Sequence, residues 1–186
     1  AQVGPVGTDV HLAVGVVVGP ADGSSATTLL RRAGTAMSSA RRNGGGPVVW
    51  EPAYEVQGTR RLAVVMAMRE ALAVGAIGVV FQPKVDTTSL RVTGFEALAR
   101  WTHPALGPVE ADEFVPLAET SGLIAPLTAS VLSQSLVACT TWQPDLPGVG
   151  VSVNISADTV LDPAFVTQVA TALTETGLPA GLLTLE

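Results

Sequence analysis

Gly94-Phe95-Glu96-Ala97-Leu98-Ala99-Arg100-Trp101 is the stretch whose reading decides the fold. It reads as a β-strand, and successive side chains of a strand point to opposite faces. Glu96, Leu98 and Arg100 then share one face. Phe95, Ala97, Ala99 and Trp101 share the other, where they can pack against helices. An acid and a cation on the inner face of a buried strand need partners. From this pattern alone two readings stand open: a mutual structural ion pair, or a site that takes a metal ion and a phosphate.

Three further strands carry a polar phase. Gln82, Lys84 and Asp86 share it in Phe81-Gln82-Pro83-Lys84-Val85-Asp86. Ser152, Asn154 and Ser156 share it in Val151-Ser152-Val153-Asn154-Ile155-Ser156, and Thr184 and Glu186 in Leu182-Leu183-Thr184-Leu185-Glu186. Glu96, Asn154 and Glu186 therefore offer two carboxylates and an amide oxygen, donors that suit a hard divalent cation such as Mg²⁺ or Mn²⁺. Asn154 and Glu186 stand at the C-terminal ends of their strands, where α/β barrels gather catalytic groups. A plainer reading exists for each: Asn154 as a helix cap or turn residue, and Glu186 as simply the last residue of the sequence.

Around these strands the pattern alternates. A helix is expected over Leu62–Val74, then the strand Val79–Asp86, a turn at Thr87-Thr88-Ser89, and the strand Val92–Trp101. Helices follow over Asp112–Thr120 and Thr128–Trp142, the second with Leu132, Leu136, Cys139 and Trp142 at helical spacing. A strand over Gly150–Ile155, a helix over Pro163–Thr176 ending at Gly177, and a strand over Leu182–Glu186 complete the run. Alternation of strand and helix is the signature of βα units around a parallel sheet or barrel. Upstream, Val10–Val18 reads as a strand and Gly19-Pro20-Ala21-Asp22-Gly23 as a turn. Thr28–Arg42 reads as a helix capped by Ser24-Ser25, with Leu29, Leu30, Ala33, Ala36, Met37 and Ala40 on one face. Asn43-Gly44-Gly45-Gly46-Pro47 stops it, Val48-Val49-Trp50 is a short strand, and Glu51–Gly58 is read as linker.

Composition supports a packed chain. Hydrophobic residues make up 47% and charged residues 14% of the 186, the reverse of a disordered chain. The net charge of −6 with few, scattered basic residues lacks the footprint of a DNA or RNA backbone binder. The one cysteine, Cys139, reads as a small buried hydrophobe and fits a reducing compartment. The apolar region Leu62–Phe81 is broken by Arg69, Glu70, Gly75 and Gly78, so no membrane segment is expected there, nor a signal peptide at Ala1–Thr8.

Glu-Ala-Leu occurs twice, and Glu70-Ala71-Leu72 reads as an ordinary helical segment. The second copy has company. Phe81–Asp86 and Gly94–Trp101, with Glu113-Phe114-Val115-Pro116-Leu117-Ala118-Glu119, Gly122-Leu123-Ile124 and Val153-Asn154-Ile155-Ser156, resemble the first half of an EAL domain over residues 62–186. The resemblance implies an α/β fold, part of a modified (β/α)₈ TIM-like barrel whose first strand runs antiparallel. It implies hydrolysis of cyclic-di-GMP to linear pGpG with Mg²⁺ or Mn²⁺, by a two-metal in-line displacement. By position, Glu96, Asn154 and Glu186 resemble metal ligands, Arg100 a phosphate contact, and Gln82 and Leu98 substrate-pocket residues. The family's Asp pair, a further Glu and its general-base Lys are expected beyond Glu186, so no catalytic residue in the strict sense is expected within the chain. With four strands where the family has eight, the chain alone is expected to be inactive, its open edge covered by a second copy or by further chain. The alternative activity is a cyclic-di-GMP receptor that binds without cleaving. The implied location is cytoplasmic, including as part of a larger membrane-anchored or multidomain protein.

Upstream, Val14-Gly15-Val16, Ala21-Asp22-Gly23 and the helix Leu29–Arg41 resemble the C-terminal end of a GGDEF domain, an α+β fragment over residues 1–50, joined by a linker over 51–61. Gly34, Ser38 and Arg41 stand where that family usually has Asp, Tyr and Lys, and the cyclase signature loop is outside the chain, so the fragment is expected to be degenerate.

Overall fold

The computed structural model describes residues 12–186, apart from the side chain of residue 158. The chain divides into two units, Ala1–Leu62 and Ala63–Glu186.

The first unit is a strand, a helix and a strand: β1 (Ala13–Val16), α1 (Ala26–Arg42) and β2 (Gly46–Val49). The part of the expected strand at residues 10 and 11 lies outside the described residues. β1 and β2 pair in parallel, Ala13 opposite Gly46 through Val16 opposite Val49, an arrangement that needs a crossover, here α1. Ser25 caps α1 by accepting the Thr28 N–H at 3.2 Å, and Arg41 and Arg42 sit in its last turn, where the helix dipole favours cations. The buried strip of α1 is narrower than expected. Ala36, Ser39 and Ala40 are buried, but Leu30 is 74% and Met37 39% exposed. The cause is close approach: a Cβ on Gly15 would fall 2.0 Å from the Ala33 carbonyl oxygen. The strand therefore lies against the small residues and leaves the larger ones at the rim. Arg32 stacks 4.1 Å over the Trp50 ring and also donates to the Asp22 carbonyl and the Glu55 carboxylate.

Residues 51–61, read as linker, are helical from Pro52 onward. α2 (Pro52–Ala73) starts at Pro52 and runs unbroken through Gly58. Proline is tolerated at the first helical position because its missing N–H would be unpaired there anyway. The division between the units falls within this helix.

The second unit continues with β3 (Gly78–Val85), β4 (Val92–His103), β5 (Gly107–Val109), α3 (Ala111–Ser121), α4 (Ile124–Trp142), β6 (Gly150–Val153), α5 (Ala157–Val160), α6 (Pro163–Thr176), a 3₁₀ turn at Ala180–Leu182, and β7 (Leu183–Leu185). The strands run in the order β3-β4-β6-β7, with β5 paired to the far end of β4. β3 is antiparallel to β4, as expected of the first strand, while β4–β6 and β6–β7 are parallel. One sheet face is apolar: Phe81 stands opposite Ala97, Ala97 opposite Val153, and Val153 opposite Leu185. Trp142 of α4 packs on it, 5.3 Å from the Phe81 ring and 4.8 Å from Phe95. Val64, Met68, Phe114, Leu132, Leu136 and Cys139 are buried in the same core. Burial pushes the Cys139 thiol up, keeping it un-ionised. Among the described residues α4 is the one helix long and apolar enough to cross a membrane, but its residues from Leu127 to Cys139 bury one face against this core.

Asp86 shapes the β3–β4 turn. Its carboxylate accepts the Ser89 N–H at 2.6 Å, the Ser89 hydroxyl at 2.8 Å and the Thr88 N–H at 3.1 Å. These bonds, the one from the Ser89 backbone first, hold the carboxyl below its usual range. A group depressed on folding stabilises the fold above its unfolded pKa, and that contribution is lost as the pH falls through the folded value. The expected outcome is that wild type melts above Asp86→Ala at about pH 6, and that the gap narrows by about pH 3. Melting curves at the two pH values check it, and a gap that is constant or widens towards acid contradicts it.

Candidate functional site

The polar phases of the four strands meet in register. Gln82 stands opposite Glu96, Glu96 opposite Ser152, and Ser152 opposite Thr184, one row across the sheet on the face away from Trp142. Gly150 allows this closeness: a Cβ there would lie 2.6 Å from the Leu182 carbonyl oxygen, so only glycine lets β7 come in beside β6. Beyond Leu185 the ladder continues. The Glu186 N–H donates to the Val153 carbonyl at 3.0 Å and its carbonyl accepts the Ile155 N–H at 2.7 Å, which seats Glu186 beside Asn154.

The three residues read as ligands come together on this face. Asn154 donates its Nδ2–H to Glu96 Oε1 at 2.8 Å. Glu186 Oε1 receives the Lys84 ammonium at 2.5 Å, and Lys84 also donates to Ser152 Oγ at 2.9 Å. The bond from Lys84, then one from Ser152, holds the Glu186 carboxyl below its usual range. Ser156, not Asn154, is the helix cap: its hydroxyl accepts the Thr159 N–H at the start of α5. Asp86, read onto the polar face, leaves it at an irregularity in the β3–β4 register between Lys84 and Val85 and serves its own turn.

Leu98, Arg100 and Asn154 line a pocket of about 330 Å³ walled by β4, α3 and α4. Val115, Ile124 and Leu127 give it apolar lining, and Asp112 also lines it. Arg100 is exposed, and its Nη1 donates to the Ala99 carbonyl at 2.8 Å. Gln82 keeps its place beside Glu96.

The donors fit a hard cation by chemistry. Among the described residues no three His, Cys, Asp or Glu side chains cluster, so an ion here would rest on Glu96, Glu186 and the amide oxygen of Asn154. Lys84 and Ser152 are the site residues that sequence reasoning left without a role. The polar phase held both, but only the strand register shows that Lys84 reaches across β4.

A family model described as the EAL domain matches residues 66–186. An uncharacterized protein of Mycobacterium bovis is 41% identical over 142 residues, 75% of this chain and 46% of its own length. A cyclic di-GMP phosphodiesterase of Pseudomonas aeruginosa is 34% identical over 137 residues, 73% of this chain and 23% of its own. Among solved structures, the PaMucR phosphodiesterase in its c-di-GMP complex aligns with a TM-score of 0.63 at 31% identity, over 66% of this chain and 50% of that one. The chain thus spans half or less of each of these proteins. The motifs, the antiparallel first strand and the matched span agree: the chain belongs to the EAL domain family.

Proposed function

We propose that the complete protein hydrolyses cyclic-di-GMP to linear pGpG with Mg²⁺ or Mn²⁺, and that residues 63–186 supply half of its site. The observation that carries this reading is the shared polar face on which Glu96, Asn154 and Glu186 converge from adjacent strands beside the pocket of Leu98 and Arg100. A bound divalent ion supplies a Lewis acid and a water acidic enough to attack phosphorus. Glu96 and Glu186 contribute anionic oxygens to hold it, and Asn154 a neutral one. Arg100, freed from the Ala99 carbonyl, offers a guanidinium to a phosphate oxygen. Leu98 and the apolar wall take up a base, and Gln82 offers an amide at the edge of the row. The general base comes from further chain, and the 186 residues alone are inactive. A homodimer and a cytoplasmic location belong to the same reading.

Residues 1–50 are read as the degenerate end of a GGDEF domain, with α2 serving as the connection. Incubation of the complete protein with cyclic-di-GMP and Mn²⁺, followed by chromatography, is expected to yield linear pGpG and to stop with EDTA. Labelled GTP in its place is expected to give no dinucleotide. Tight binding of cyclic-di-GMP without turnover would replace the enzyme reading with a receptor, and a dinucleotide made from GTP would overturn the degenerate one.

A further inference from the structure

We propose that Lys84 is a built-in counter-ion that holds the place of a divalent cation at Glu186 and sets the affinity with which a cation enters. The inference rests on the metal reading above. Lys84 is the single lysine of the sequence. It lies on β3, two residues beyond Gln82 and on the same face. Its neighbours across the sheet are glycines: Lys84 stands opposite Gly94, and Gly94 opposite Gly150. No side chain rises from either neighbour, so the lysine stem has a bare floor along which to lie. It runs from that row to the row of Glu96 and Ser152, where the ammonium donates to Ser152 Oγ at 2.9 Å and to Glu186 Oε1 at 2.5 Å. Each carboxylate of the site thereby has a partner from the chain itself. Lys84 neutralises one carboxylate, and the Asn154 N–H bonds the other. For Glu186 and Asn154 to hold a cation, the ammonium would have to leave Glu186 and the Asn154 amide would have to turn its oxygen, not its nitrogen, to the ion.

Both steps oppose cation entry, and the first is electrostatic. A unit positive charge at hydrogen-bond distance from a ligand competes directly with the ion, although water screens a side chain that is 44% exposed. Removing the charge is expected to tighten Mn²⁺ binding by about tenfold. Because the ammonium is tied down at rest, its release also has a chemical readout. Acetylation of Lys84 can be followed by mass spectrometry of the peptide that carries it.

The experiment has two arms. Mn²⁺ is titrated into the complete protein and into its Lys84→Met variant, and free Mn²⁺ is read by electron paramagnetic resonance. Separately, the rate of Lys84 acetylation by acetic anhydride is measured on the unmutated complete protein with and without Mn²⁺, and on Glu186→Gln without it. The expected results are about tenfold tighter Mn²⁺ binding by Lys84→Met, and faster acetylation both on adding Mn²⁺ and in Glu186→Gln. Equal Mn²⁺ affinity with unchanged acetylation would overturn the counter-ion role alone. Absence of Mn²⁺ uptake by both the unmutated complete protein and its Lys84→Met variant would overturn the metal reading and this inference with it. The acetylation arm uses the unmutated protein, so it stands even if Lys84→Met folds poorly.

Discussion

Glu96→Ala is expected to lower metal-dependent cleavage of cyclic-di-GMP by the complete protein by more than about a hundredfold while leaving the fold intact. Glu96 is the central member of the polar row, between Gln82 and Ser152. It is one of two carboxylates available to an ion, and its partner across the strands is Asn154 at 2.8 Å. Alanine removes the charge and leaves the Asn154 N–H without that acceptor. The core is untouched, because the side chains that pack from β4, Ala97 and Trp101, leave by the other face. Saturating Mg²⁺ or Mn²⁺ in the assay guards against a simple affinity effect. A loss below about tenfold would remove Glu96 from the ligands. Glu70→Ala is the control: Glu70 begins the other Glu-Ala-Leu and is exposed on α2, and turnover is expected to stay unchanged. A large loss there would mean that the wrong tripeptide had been assigned.

The sequence made the phase of each strand legible but not the register between strands. Period-two alternation put Glu96, Asn154 and Glu186 on polar faces, because each strand has one apolar and one polar side, even β6, where Ser152 is buried as well as Val151 and Val153. That Lys84 faces glycines and reaches Glu186 is a long-range fact, 102 residues apart in the chain, and no local pattern encodes it. Local reading failed where a breaker residue was tolerated. The stretch read as linker contains Pro52 and Gly58, yet Pro52 opens α2 and Gly58 sits within it, at a cost of about 1 kcal/mol relative to alanine that the rest of a long helix can absorb. The long helix was expected from Thr128, whereas α4 begins at Ile124 and carries Pro126 in its first turn, where no intrahelical N–H is lost. β5 and α5 were missed because they are three and four residues long, too short to show a period. β5 exists only by pairing with the end of β4, and α5 begins at the cap of Ser156.

Phe114→Ala is expected to destabilise the second unit by about 3–5 kcal/mol, the range for removing a fully buried aromatic ring. Phe114 is 0% exposed and meets the Trp101 ring edge-on, centroids 5.8 Å apart at 87°. That contact fastens α3 to the end of β4. Alanine would leave a cavity beneath the helix, and a densely packed core refills such a void only in part. The consequence reaches the site. The next residue, Val115, lines the pocket together with Leu98 and Arg100 of β4, so a loosened α3 takes one wall of that pocket with it. With typical domain stabilities of about 5–15 kcal/mol, the variant sits near the edge of folding. Urea unfolding read by tryptophan fluorescence gives the loss directly, since Trp101 is the residue that loses its neighbour. Val115→Ala separates the two effects: it trims a half-buried side chain of the pocket wall and is expected to cost less stability than Phe114→Ala. A loss below about 1 kcal/mol for Phe114→Ala would mean that α3 is held to β4 by something other than this ring.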